Sequence, residues 1–314
     1  MTHGARLIIS RAVAPSHFDF CLGFSFCEPQ PTEDSPNAPG SRRVPTEEPP
    51  RCPCGSTRGR AAPVIRGPRP YQILKTEATK CFQKMAGRKV LIVYAHQEPR
   101  SFNGSLKRIA MEELSKQGCS VTVSDLYAMQ FEPRATRNDV VGCLHNSEEF
   151  NYGVETWEAY KRGGLSSDVI EEQKKVQGAD LLIFQFPLYW FSMPAIMKGW
   201  MDRVLVQGFA HEFPNCYDSG LLKNKLALFS FTTGGSEEMY AKGSINGDIR
   251  YLLWPMQHGI MHFCGVKVLA PHICFAPEYV SEEKRKEMLI AWAQRLKTLW
   301  KEEPINCSPE WYFQ

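Results

Sequence analysis

From residue 88 onward, short unbroken apolar runs alternate with longer stretches whose apolar residues recur at helical spacing. Residues 90–94, Val-Leu-Ile-Val-Tyr, form a run suited to a strand buried on both faces. Segments 120–126, 179–186, 226–231 and 266–275 read as four further strands. Between them the pattern predicts helices opening at Ser101 and over 167–176, 194–206, 249–263 and 281–301, with Pro255 bending or breaking the fourth. A long polar excursion, without a predicted element, separates the second strand from the helix at 167. Strand–helix alternation implies an α/β fold with a doubly wound, five-stranded parallel sheet, whose ligand sits beyond the carboxyl ends of the strands.

Residues 1–84 lack both periods. They hold 12 of the 22 prolines and 12 Lys/Arg against 7 Asp/Glu, whereas 85–314 carry 25 basic and 27 acidic residues. The first segment is therefore expected to be a disordered Pro/Arg-rich extension that cannot bury enough apolar surface to fold. Met85 stands just before the first strand as a candidate second start. The overall charge of +3, with no basic stripe, argues against a nucleic-acid partner. Residues 181–197 contain no charge but do contain Gln185, Pro187 and Pro194, and are short of the roughly 20 residues that span a bilayer. No membrane partner is expected. Eleven scattered cysteines, without framework spacing, suggest reduced thiols and a cytoplasmic location, and Cys52-Pro-Cys54 lacks a second pair for a metal.

The candidate chemistry lies after the strand ends. Loop 95–105 has no G-x-G-x-x-G, but it sets Ser101, Asn103 and Ser105 at a helix start, which serves either as a phosphate seat or as an ordinary helix cap. Tyr189, Trp190 and Phe191 follow the third strand as either walls for a flat ring or core packing. Thr232, Thr233, Gly234 and Gly235 follow the fourth, bringing hydroxyls and glycines that let a ring edge approach the backbone, with Tyr240 close behind. His258 and His262, four apart on a predicted helix, project from one face and could share a metal or simply pack.

The strings Leu-Ile-Val-Tyr-Ala-His at 91–96, Ser-Phe-Asn at 101–103, Asp-Leu-Tyr-Ala-Met at 125–129 and Phe-Gln-Phe-Pro at 184–187 resemble the FAD-dependent quinone reductases of the flavodoxin-like fold. So do Lys-Gly-Trp-Met-Asp-Arg at 198–203, Thr-Thr-Gly-Gly at 232–235 and His-Phe-Cys-Gly at 262–265, so the resemblance covers essentially all of 85–314. It implies two-electron quinone reduction by ping-pong hydride transfer through FAD. His96, Phe102, Asn103, Gly104 and Ser105 would hold the pyrophosphate, while Leu188 to Phe191 and Thr232 to Gly235 line the flavin ring. Glu278 and Arg285 would serve the adenosine end, and Tyr240 with Asn246 the reactive edge. The family's NAD(P)H-using branch has a histidine at the Asn246 position and continues past the equivalent of Gln314. Reduced nicotinamide riboside is therefore expected as donor in preference to NAD(P)H. His211, Glu212, Phe213 and Phe263 would touch substrate, although His211 and Cys216 stand where the family carries aromatic or aliphatic residues.

The resemblance further implies a homodimer with the active site at its interface. It also implies one structural zinc or copper ion per subunit, held by His258, His262 and Cys307. A one-electron flavodoxin-type carrier and a flavin-binding regulator are the rival classes, which turnover with menadione separates.

Overall fold

The computed structural model describes residues 87–314. The expected extension over 1–84 and Cys52 and Cys54 lie outside the described residues. Five strands run parallel in the order β2–β1–β3–β4–β5: β1 (Lys89–Tyr94), β2 (Ser120–Asp125), β3 (Leu181–Pro187), β4 (Leu226–Thr233) and β5 (Lys267–Val268). A sixth, β6 (His272–Phe275), also pairs with β4. Thus the single strand expected over 266–275 is split. Pro271 has no N–H to give a ladder, and Arg295 draws the carbonyls of Ala270 and Pro271 away from the sheet at 2.6 and 3.0 Å.

Helices α1 (Phe102–Lys116), α2 (Tyr152–Arg162), α3 (Ser167–Gly178), α4 (Ala195–Val204), α5 (Ile249–Trp254), α6 (Glu282–Thr298) and α7 (Pro309–Phe313) complete the body. Two buried clusters lie on opposite faces of the sheet. One gathers Leu91, Val93, Phe184, Phe229, Trp200 and Met261, and the other Ile92, Ile183, Leu228, Leu106 and Trp292. Alternate side chains of β1, β3 and β4 point to opposite faces, so each strand feeds both clusters, and this is why 90–94, 181–186 and 226–231 are apolar but for Gln185 and Ser230. Pro255 does not end the fourth expected helix. The chain continues from Pro255 to His262 in wider π-helical winding, because a residue without an N–H cannot join the α ladder. Among the described residues no helix is long and apolar enough to cross a membrane, and six cysteines are free thiols.

Several carboxylates are held below their ordinary range. Arg134 hydrogen bonds pull Glu132 down to about 2. Burial would raise Asp168, but Arg203 and Ser166 outweigh it and lower the group. Burial opposes the Glu155 shift too, and the N–H groups of Asn146 and His145 prevail. These groups take up protons more readily in the unfolded chain. Their contribution is therefore present above the unfolded values near pH 4 and lost as pH falls through the lower folded values. Burial lowers His96, His211 and His272, the last to about 4, so the unfolded chain takes up protons first below about pH 6.5. The urea midpoint should therefore decline from about pH 7 and more steeply below about 4.5; a midpoint that holds or rises down to about pH 3 would contradict this.

Candidate functional site

At the carboxyl end of β1 the chain turns through His96 and Pro99 into α1. Ser101 caps the helix by accepting from Gly104 N–H at 3.1 Å. That leaves the first-turn N–H groups of Phe102 and Asn103 without an intrahelical acceptor, at the positive end of the helix. Gly104 is required here, since a Cβ would lie 2.1 Å from the Pro99 carbonyl oxygen. His96 accepts from Glu98 N–H through Nδ1, and partial burial lowers its pKa. Asn103 turns inward rather than outward. Its buried amide accepts from Gln185 Nε2 at 2.8 Å and donates to Thr232 Oγ1 at 2.9 Å, so its side chain ties α1 to β3 and β4 while only its N–H faces out.

After β3, Leu188 donates to the Thr232 carbonyl, and Tyr189 and Ser192 exchange backbone hydrogen bonds at 2.9 Å. Between them Trp190 and Phe191 adopt φ values of 49° and 58°, the left-handed region that bulky side chains avoid. The turn has the form normally built from Asn-Gly. Here it holds an indole 99% exposed and a phenyl ring 49% exposed. No core is served by this arrangement, which excludes the packing reading for Trp190.

The loop after β4 faces that turn. Thr233 Oγ1 donates to the Gly235 carbonyl at 2.7 Å, and Gly234 borders open space. No backbone carbonyl among the described residues accepts from the N–H groups of Trp190, Phe191, Gly234 or Gly235. Gly235 lies beneath Tyr240 and Asn246, where a Cβ would come within 3.0 Å of the tyrosine ring and 3.4 Å of the amide nitrogen. Tyr240 is buried against Phe191 and Phe275, with ring centroids 6.3 and 5.9 Å away. Burial raises its pKa, and the neighbouring Asn246 amide opposes the shift. The strand ends thus assemble one cradle: donor N–H groups on α1, exposed aromatics, an open glycine pair and a phenol–amide pair above it. Arg285 is engaged elsewhere, donating to the Val280 and Pro277 carbonyls at 2.7 and 3.3 Å, while Glu278 is exposed beside that loop.

The expected substrate residues are not in this cradle. Tyr217 donates to the Phe263 carbonyl, and the loop that follows enters β4 at Leu226, its first residue. His211 packs on Phe263 with centroids 5.4 Å apart, and Phe213 beside Glu212 is 86% exposed. Phe263 comes four residues before Lys267, which pairs with Leu226 at the start of β4, whereas the cradle stands at Thr233, its last residue. Burial also lowers the His211 pKa, with Glu212 opposing.

His258, His262 and Cys307 meet at that same end, but among the described residues no three His, Cys, Asp or Glu side chains form a metal-ligand group. The expected ligand set is therefore corrected. His258 Nδ1 lies 2.7 Å from the Cys307 carbonyl oxygen while its ring stacks on Trp254, and the Cys307 thiol lies 3.6 Å from the Tyr312 hydroxyl. His262 Nδ1 is buried without a partner.

The family model for the flavodoxin-like fold matches residues 88–296. Ribosyldihydronicotinamide dehydrogenase [quinone] of Rattus norvegicus is 71% identical over 230 residues, 73% of this chain and 100% of the relative. NAD(P)H dehydrogenase [quinone] 1 of the same organism is 49% identical over 229 residues, 73% of this chain and 84% of the relative. A Klebsiella pneumoniae structure described as a candidate quinone reductase superposes with a TM-score of 0.67 at 40% identity, over 70% of this chain and 87% of that one. The chain belongs to the flavodoxin-like family, among the enzymes that include these quinone dehydrogenases.

Proposed function

We propose that the chain reduces quinones by two electrons with bound FAD, taking them from dihydronicotinamide riboside in preference to NAD(P)H. The observation that carries this reading is the left-handed Trp190–Phe191 turn facing an open Gly234–Gly235 pair. Strain of this kind persists where a site uses it, and here it holds two flat apolar rings and four free N–H groups around one opening. Phe102 and Asn103 N–H groups would bind the pyrophosphate. Gly234 and Gly235 N–H groups would donate to the ring edge, where preorganised dipoles stabilise developing negative charge. FAD held there would supply the two-electron redox chemistry between a reduced nicotinamide and a quinone that use the same opening in turn. Tyr240 and Asn246 orient ligand by hydrogen bonds, since an amide carries no proton to exchange near neutral pH.

The active site is proposed to lie at a homodimer interface. Phe263, with His211 packed on it, lies toward the amino end of β4 and the cradle at its carboxyl end, so a second copy would bring them to it. The donor preference is supported by the 71% and 49% identities to relatives named for different donors, and by Asn246 itself. Purified enzyme should release FAD on acid extraction and reduce menadione with at least a tenfold higher kcat/KM for dihydronicotinamide riboside than for NADH, about 1.4 kcal/mol. Release of FMN alone would overturn the cofactor, and equal efficiency the donor.

A further inference from the structure

Tyr240 and Asn246 stand on a loop with little to hold it. Among the described residues, 241–247 make only local bonds: Ala241 to Glu238, Ser244 to Ala241 and through its hydroxyl to the Met239 carbonyl, Asn246 to Met239 and Gly247 to Ser244, and Ile245 is 86% exposed. Gly243 and Gly247 sit at φ values of 83° and 72°, so neither restrains its neighbours. The loop is anchored at Asp248, two residues beyond Asn246, where a buried carboxylate caps α5 by accepting from Arg250 N–H at 2.9 Å.

Arg250 makes that anchor rigid. Its Nε donates to both Asp248 oxygens at 3.1 and 3.0 Å, and Nη2 to Oδ2 at 2.7 Å. On the other edge of the fork, Nη1 donates to the Trp311 carbonyl at 2.9 Å and Nη2 to the Gln314 carbonyl at 3.0 Å. Those carbonyls belong to a splint along α5. Phe313 stacks on Tyr251 with centroids 6.0 Å apart, Tyr312 meets Trp254 edge-on at 5.0 Å, and the Tyr312 hydroxyl donates to Gln257 at 3.0 Å. Arginine alone among side chains presents a planar fork that can grip a carboxylate and two carbonyls at once.

We propose that Arg250 is a positioning residue for the reaction: by fastening Asp248 to the 311–314 backbone it holds Asn246 against Tyr240, and it touches neither substrate nor flavin. The inference rests on the reading of Tyr240 and Asn246 given above. Turnover that depends on a phenol–amide pair is sensitive to displacements well under an ångström, and a loop tethered only by its own turns does not supply that precision.

The test uses the full chain and four variants: Arg250→Gln, Arg250→Lys, Asn246→Ala, and Arg250→Gln with Asn246→Ala. Arg250→Gln should lower kcat about tenfold with quinone KM changed less than about twofold, and Arg250→Lys, which keeps the charge without the fork, should resemble it. In flavin-free protein, amide exchange over 241–248 should quicken about tenfold in Arg250→Gln while β4 is unchanged. In the Asn246→Ala background Arg250→Gln should cost no further kcat, yet the faster exchange should persist. Multiplying kcat losses in the double variant, or unchanged exchange over 241–248, would overturn the role. Wild-type turnover in Asn246→Ala would instead overturn the reading of that pair, leaving the exchange result to decide what Arg250 orders. Asp248→Asn keeps the cap and weakens the grip, so it should show the same pattern at smaller size if Arg250→Gln does not fold.

Discussion

Gly104→Ala should yield protein that retains less than about a hundredth of the flavin and turnover of the parent, a loss of about 2.7 kcal/mol or more. The added methyl would sit 2.1 Å from the Pro99 carbonyl oxygen, 2.9 Å from its carbon and 3.3 Å from the Tyr94 hydroxyl. The two nearest atoms are backbone, so no rotamer change relieves the clash. Either Pro99 moves or α1 shifts outward, and both alternatives displace the first-turn N–H groups of Phe102 and Asn103. The Asn103 amide would be pulled from Gln185 and Thr232, to which it is joined at 2.8 and 2.9 Å, leaving buried polar groups unpaired at about 1–3 kcal/mol. Flavin absorbance per protein, turnover and the urea midpoint together check this. Full flavin content with an unchanged midpoint would mean that the loop gives way freely and that its close approach to α1 is not needed.

The strand ends were legible because the sheet is. Residues 90–94, 181–186 and 227–231 are buried, and Gln185 and Ser230 are the single polar residues in the second and third of these runs, so the apolar signal survives them. Once a doubly wound sheet is inferred, the loops at Trp190 and Gly234 are where ligand chemistry is sought. Helix α2 escaped notice because its buried side includes Glu155 and Thr156; Glu155 turns inward to accept from His145 and Asn146 N–H groups, each at 2.7 Å. Its ends nevertheless carried a signal, Asn151 as cap and Gly163 at φ 71°. The inward turn of Asn103 and the engagement of Arg285 were not legible, since a residue type in a loop does not tell which way its side chain points. The place of His211 was legible in chain order alone: its segment precedes β4, and a segment that precedes a strand enters at the amino end, whereas the cradle forms at the carboxyl ends.

Arg203→Met should cost about 3–5 kcal/mol of stability, the usual penalty for removing one partner of a buried ion pair. Arg203 and Asp139 are only 3% and 2% exposed, joined by Nη2–Oδ1 at 2.8 Å and by Nε to both oxygens at 3.1 Å. The same guanidinium donates to Asp168 at 2.8 Å and to the Glu132 carbonyl at 2.7 Å, and lies over the Phe131 ring at 4.9 Å. One side chain on α4 therefore fixes the segment after β2 and the start of α3. Methionine fills much of the volume but leaves Asp139 as an uncompensated charge, with the Tyr152 hydroxyl at 2.6 Å as its main remaining donor. Pairing Arg203→Met with Asp139→Asn should recover part of the loss, because the penalty comes more from the stranded charge than from the missing bonds. Urea unfolding of the two variants and the parent decides the matter. A loss below about 1 kcal/mol for Arg203→Met would show that water reaches Asp139 and that the pair behaves as a surface one.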